Sequence, residues 1–184
     1  MSQSALLALL LAAQAAPAPP AAETVEQAID RIFYPTFQLK GMLSGPLDRH
    51  EVTRNAFAAL GRERACVAYR QAWRGAFDRH LLAWKAAYRS AVLSVVPQQA
   101  LFTEPRRFMD PAVTDAYSSR VVAALRASDT ISIVRAMGNE ILGALQAAAA
   151  DSPPAQGWGG IDATAPGGLH LICGMTVEYL DGRY

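Results

Sequence analysis

Few side chains in this sequence have the types and spacing that chemistry needs. Cys66 and Cys173 are the only cysteines among 184 residues. An even number in an exported chain points to pairing. A bridge between them would tie the C-terminal tail to the start of the longest helical pattern. Closing so long a loop would stabilise the fold by roughly 4–5 kcal/mol in the chain-entropy model. The alternative is two unpaired thiols, because Cys66 also lies on an apolar stripe, where a free cysteine behaves as a small hydrophobe. There is no CxxC pair, so neither a thioredoxin-type redox site nor a zinc knuckle is indicated.

The histidines are His50, His80 and His170. None has a second histidine or an acid at tight ligand spacing, so no metal site is expected. His80 is the most telling, because it interrupts a ridge of alanines beside Phe77, Leu81 and Trp84. It reads either as a hydrogen-bonding or acid–base residue in a groove or, more simply, as a boundary histidine bonded to a neighbouring helix. Trp73 and Trp84, with His80, are the candidate lining of an apolar ligand cavity. Aromatic residues at helical spacing are more often core. GxGxxG, phosphate-loop, HExxH and GxSxG motifs are missing from the sequence, so no cofactor and no catalytic residue is assigned. An enzyme reading would need His80 or His50 to meet an Asp or Glu in a cleft.

The element that carries most of these side chains is Arg62–Val96. Its large residues Cys66, Tyr69, Trp73, Phe77, Leu81, Trp84, Tyr88, Val92 and Val95 recur at steps of three and four, the period of a straight α-helix with one apolar stripe. A second ridge holds Ala65, Ala68, Ala72, Ala76, His80, Ala83, Ala87 and Ala91, small enough for a neighbouring helix to approach. Arg70, Arg74, Asp78, Lys85 and Arg89 form a basic, solvated side. Leu82 interrupts that side and is a candidate protein contact, although a single exposed leucine needs no explanation.

The remaining segments supply partners for this helix. Glu23–Tyr34 reads as a helix with a Thr24/Gln27 capping box, stopped by Pro35. Thr36–Pro46 contains Gly41, Gly45 and Pro46 and reads as a loop with a short strand over Phe37–Leu43. Asp48 is the expected cap of a helix whose inward face is Val52, Ala56, Ala59 and Leu60. Gly61 either ends that helix or bends it into the central one. Thr103 and Pro105 open a short turn or helix through Met109. Asp110-Pro111 opens a helix to about Ala127. Ser128-Asp129-Thr130 caps another, with Ile131, Val134, Met137, Ile141, Leu142 and Leu145 inward. A Gly/Pro-rich loop follows. Leu169–Tyr179 alternates like a strand and either pairs with Thr36–Leu43 or lies extended on the bundle, pinned by Cys173.

The N-terminus reads MSQSALLALLLAAQAAPAPPAA. Ala5–Ala13 is an apolar run too short to span a bilayer, and Ala13-Gln14-Ala15 fits signal-peptidase cleavage after Ala15. The alternative is an apolar N-terminal helix. Residues 16–22 are then an Ala/Pro tether.

Composition favours helix: 52% of residues are apolar and alanine is abundant. The net charge of +1 together with the export signal disfavours nucleic-acid binding.

The expected fold is a mainly α, single-domain bundle of four or five helices around residues 62–96. A signal peptide spans 1–15, a tether 16–22, the bundle 23–150, and a loop with an irregular, strand-like tail 151–184. The expected function is that of an exported, periplasmic or secreted protein, more plausibly non-catalytic than an enzyme. It would act through an unidentified protein partner in the bacterial cell envelope, with no transmembrane segment in the mature chain. The alternatives are a binder of an apolar small molecule or lipid, and an enzyme of unreadable type.

Overall fold

The computed structural model describes residues 22–103, 108, 111–152 and 168–175. The predicted signal peptide and nearly all of the tether lie outside these residues, as do Asp110 and residues 176–184. The helices, in chain order, are α1 (Val25–Phe33), α2 (Pro35–Arg49), α3 (Glu51–Leu60), α4 (Arg62–Leu93), α5 (Gln98–Thr103), α6 (Pro111–Ala127), α7 (Thr130–Ala150) and α8 (Gly168–Ile172). No strand occurs among the described residues. The architecture is the expected bundle around the long helix. Short helices and an early break between α1 and α2 raise the number of elements.

The periodicity of α4 translates directly into burial. Tyr69, Trp73, Phe77, Trp84, Tyr88 and Val92 are all buried on one side, with Ala65, Ala76 and Ala91 beside them. The helix runs unbroken for 32 residues, roughly 48 Å. Its principal partner is α7, whose Met137, Ile141 and Leu145 are fully buried. Helices α3 and α2 also pack on α7, and α6 lies along α4. Gly61, at φ 71°, separates α3 from α4, so it ends one helix rather than bending a continuous one. Thr24 and Gln27 form the expected capping box of α1.

Two segments read as extended are helical. The first is α2, expected as loop and strand. Leu39, Leu43 and Leu47 sit at i, i+4 and i+8 and are buried, while Phe37 is 53% exposed. Gly41, Gly45 and Pro46 inside this helix cost about 5 kcal/mol together in intrinsic propensity. Burying three leucines returns about 1.5–3 kcal/mol each, so tertiary packing outweighs local preference. Asp48 consequently lies in the last turn of α2, and the cap of α3 is His50, whose Nδ1 accepts from the Val52 N–H at 3.2 Å.

The second is the tail. Residues 168–172 are helical, so the strand pairing with residues 36–43 does not form. Gly174, at φ 68°, closes α8. The Met175 N–H donates to the His170 carbonyl at 2.7 Å and the Gly174 N–H to the Leu171 carbonyl at 3.2 Å. This is the Schellman pattern, which a left-handed glycine permits. The tail is docked by burial of Leu169 and Met175 and by a disulfide from Cys173 to Cys66, with Cα atoms 5.0 Å apart across 107 residues of sequence.

Removing this bond by a paired Cys66→Ala/Cys173→Ala substitution is expected to lower unfolding free energy by about 4–5 kcal/mol, measured by urea titration. A loss below about 1 kcal/mol would mean that packing alone holds the tail.

Candidate functional site

The ion pairs of α4 are mainly structural. Asp30 on α1 accepts from Arg89 Nε at 3.0 Å and Nη2 at 2.6 Å, and from Lys85 Nζ at 3.0 Å. Burial pushes the Asp30 carboxyl up, but these bonds outweigh it and hold the group below its ordinary value. The basic side of α4 is thus partly committed to fixing α1.

His80 does meet an acid. Its Nε2 lies 3.0 Å from Glu140 Oε2 on α7, and Arg79 bonds the other carboxylate oxygen. Burial raises the Glu140 carboxyl, yet the bonds from Arg79 and His80 prevail and lower it. The imidazole is therefore oriented by a carboxylate that Arg79 already neutralises. His80 is half-buried and outside both grooves described below, so the arrangement has the geometry of a helix–helix clasp. Trp73 and Trp84 are 1% and 0% exposed. Trp84 Nε1 donates to the Pro35 carbonyl at 3.0 Å, and the Trp73 ring stacks on Phe77 at 5.2 Å. Trp73, His80 and Trp84 line neither of the two grooves described next.

Two open grooves lie elsewhere. The first, about 230 Å³, has apolar and aromatic walls from Ile32, Phe33, Tyr34, Tyr88, Phe108, Tyr117, Val121, Val122 and Leu125, with Gln38 and Ser118 adding polar groups. Burial pushes the Tyr88 phenol up to about 12. Tyr34 and Val122 on its rim are 59% and 44% exposed. The second, about 210 Å³, lies between α2 and α7, with Leu43, Leu47, Val134 and Leu142 in its walls and His50 and Arg135 beside them.

A buried polar cluster lies beneath the tail, and the sequence reading did not assemble it. Lys40 and Asp48 come from α2, Tyr69 from α4 and His170 from α8. They are 1%, 7%, 0% and 4% exposed. The His170 ring meets Trp73 edge-on at 4.4 Å and Tyr69 at 5.9 Å. The Leu169 backbone N–H bonds the Asp48 carboxyl, while Asp48 Oδ1 and the Tyr69 hydroxyl have no hydrogen-bond partner among the described residues. Burial pushes the Asp48 carboxyl up to about 6 and holds the His170 imidazole down at about 4, with the nearby Lys40 charge adding to the latter. The forward signal is Lys40 and Asp48 falling at i and i+8, on the ridge beside Leu39 and Leu43, and it is visible only if α2 is read as a helix.

No three His, Cys, Asp or Glu side chains converge as metal ligands among the described residues, and none of the described helices is long and apolar enough to cross a membrane. No protein-family model, curated protein or solved structure matches the chain.

Gly168, at φ 46°, presses so closely on Asp48 that an added Cβ would fall on Oδ2. The Gly168→Ala chain is expected to lose about 2 kcal/mol or more from left-handed backbone strain and displacement of the carboxylate. Its urea midpoint should fall accordingly. An unchanged midpoint would show that the contact carries no weight.

Proposed function

We propose that this chain is exported to the bacterial periplasm or beyond and acts there by binding another protein rather than by catalysis. The observation that carries this reading is the size and character of the two open grooves. At about 230 and 210 Å³, both fall below the roughly 300–1,000 Å³ of small-molecule pockets. Each has room for one or two apolar side chains of a partner, the anchor-in-pocket mode of protein recognition. The first groove fits best, since Tyr34 and Val122 extend its apolar wall outward. The disulfide is consistent with an oxidising compartment, and the apolar N-terminal run with its Ala13-Gln14-Ala15 site supports export. Leu82, 80% exposed, is a further apolar side chain available for contact.

The competing reading, an apolar small molecule or lipid chain, is favoured by the aromatic walls of the first groove and disfavoured by its volume.

Two measurements test the proposal. Amino-terminal sequencing of the chain from a bacterial periplasmic extract should begin at Ala16; intact Met1 on a chain retained in the cytoplasm would overturn export. A photoreactive residue replacing Tyr34 should cross-link one envelope protein, whose binding to the purified chain weakens about tenfold or more in a Val122→Glu variant, because a carboxylate would be buried unpaired. Binding of apolar ligands without any protein cross-link would favour the competing reading.

A further inference from the structure

The second groove, between α2 and α7, joins apolar walls to hydrogen-bond donors. Leu43, Leu47, Val134 and Leu142 supply the apolar surface, and His50, Arg135 and Asn139 line the same space of about 210 Å³. No Asp or Glu lines it. Each of the three polar side chains has a donor to spare. The Val52 N–H occupies His50 Nδ1, which places the proton of the neutral imidazole on Nε2. Arg135 and Asn139 stand at i and i+4 on α7 and so share a face. Neither side chain makes a hydrogen bond or ion pair with another described residue. Gly138 lies between them in the helix. A Cβ there would meet only Leu43 Cδ2, at 4.0 Å, so alanine would fit and would favour the helix. The glycine instead leaves the groove wall open at this point.

We propose that this groove captures the C-terminus of a partner protein, with an apolar last side chain seated on the leucines and its free carboxylate held by Arg135, Asn139 and His50. The inference rests on the reading of this chain as a protein binder and gives the second groove a chemistry of its own. Charge and spacing carry it. A guanidinium with further donors and no acid beside it selects an anion over a cation or a neutral group. The guanidinium fork matches a planar carboxylate through two parallel bonds. The donors and the apolar walls share one small space, so anion and anchor must lie within a few ångströms of each other. An α-carboxylate meets that condition, because its carbon is two bonds from the Cβ of its own side chain. An acidic side chain beside an apolar one in a continuing chain holds its charge farther from the anchor. The groove has room for one such residue.

The test is titration of the isotope-labelled, oxidised full chain with a glycine- and serine-rich hexapeptide ending in leucine, read from the amide NMR shifts of residues 134–142 and of Val52. With a free carboxylate the shifts should saturate, with Kd on the order of 1 mM or tighter. The same peptide as its C-terminal amide, or ending in serine, should bind about 10-fold more weakly. A loss of about 10-fold is also expected for the original peptide with Arg135→Met, an exposed position where the apolar stem is kept. Gly138→Leu, which fills the groove, should weaken it as much. Val122→Glu, in the first groove, should bind the peptide as the parent does, and the Tyr34 cross-link does not depend on this result, so the two grooves fail separately. If Gly138→Leu does not fold, the paired peptides and Arg135→Met decide the matter. Equal binding of acid and amide, or no saturable shift, would overturn the proposal. So would saturation by octanoate without a response to the peptide, which would assign the groove to a free amphiphile.

Discussion

Five large rings lie in line along α4, and the rest of the bundle is arranged to take them out of water. Tyr69, Trp73, Phe77, Trp84 and Tyr88 are all buried. At 150–250 Å² each, they represent roughly 20–30 kcal/mol of transfer free energy, an upper bound set against an extended chain. No local preference in the sequence approaches that figure. It explains why α2 forms despite two glycines and a proline, and why a five-residue helix remains on the bundle when isolated helices of that length are unstable. The neighbours of the stripe differ along its length. Pro35 on the α1–α2 junction receives the Trp84 indole N–H, α7 covers the middle, and the tail covers Tyr69 and Trp73.

Legibility in the sequence followed segment length. α4, α6 and α7 run 32, 17 and 21 residues, long enough for a 3.6-residue period to declare itself, and their boundaries were readable to within a few residues. α2 was misread because its three leucines were visible but its glycines and Pro46 spoke louder. A turn signal states only what the backbone prefers in isolation. α8 was misread because five residues offer no period at all, and Leu, Ile and Val are common to strands and buried helices alike. The Gly174 stop signal was present, but it acquires meaning only beside a helix.

The candidate sites divide on the same line. His80 was legible because it broke a regular ridge, and a single long helix supplied both the ridge and the exception. The cluster of Lys40, Asp48, Tyr69 and His170 was not legible. It draws on α2, α4 and α8, two of which were assigned to other structures, and its members stand as far apart in sequence as positions 40 and 170. Burial also reverses the ordinary expectation for these residues. Lysine and aspartate are seldom fully buried, so a sequence reading places them on the surface unless something else specifies the face.

The position of the disulfide also has a mechanical consequence. Cys66 lies one turn into α4 and Cys173 just past α8, so most of α4 and all of α5, α6, α7 and α8 lie within one covalent loop. A pull applied between the two ends of the chain would pass from Cys173 directly to Cys66 and leave that loop out of the load path. Only α1, α2, α3 and the first turn of α4 could be drawn out. The 65 residues ahead of Cys66 and the 11 after Cys173 set the extension available to force, at roughly 3.3–3.6 Å each, whereas a reduced chain could be pulled out along its entire length.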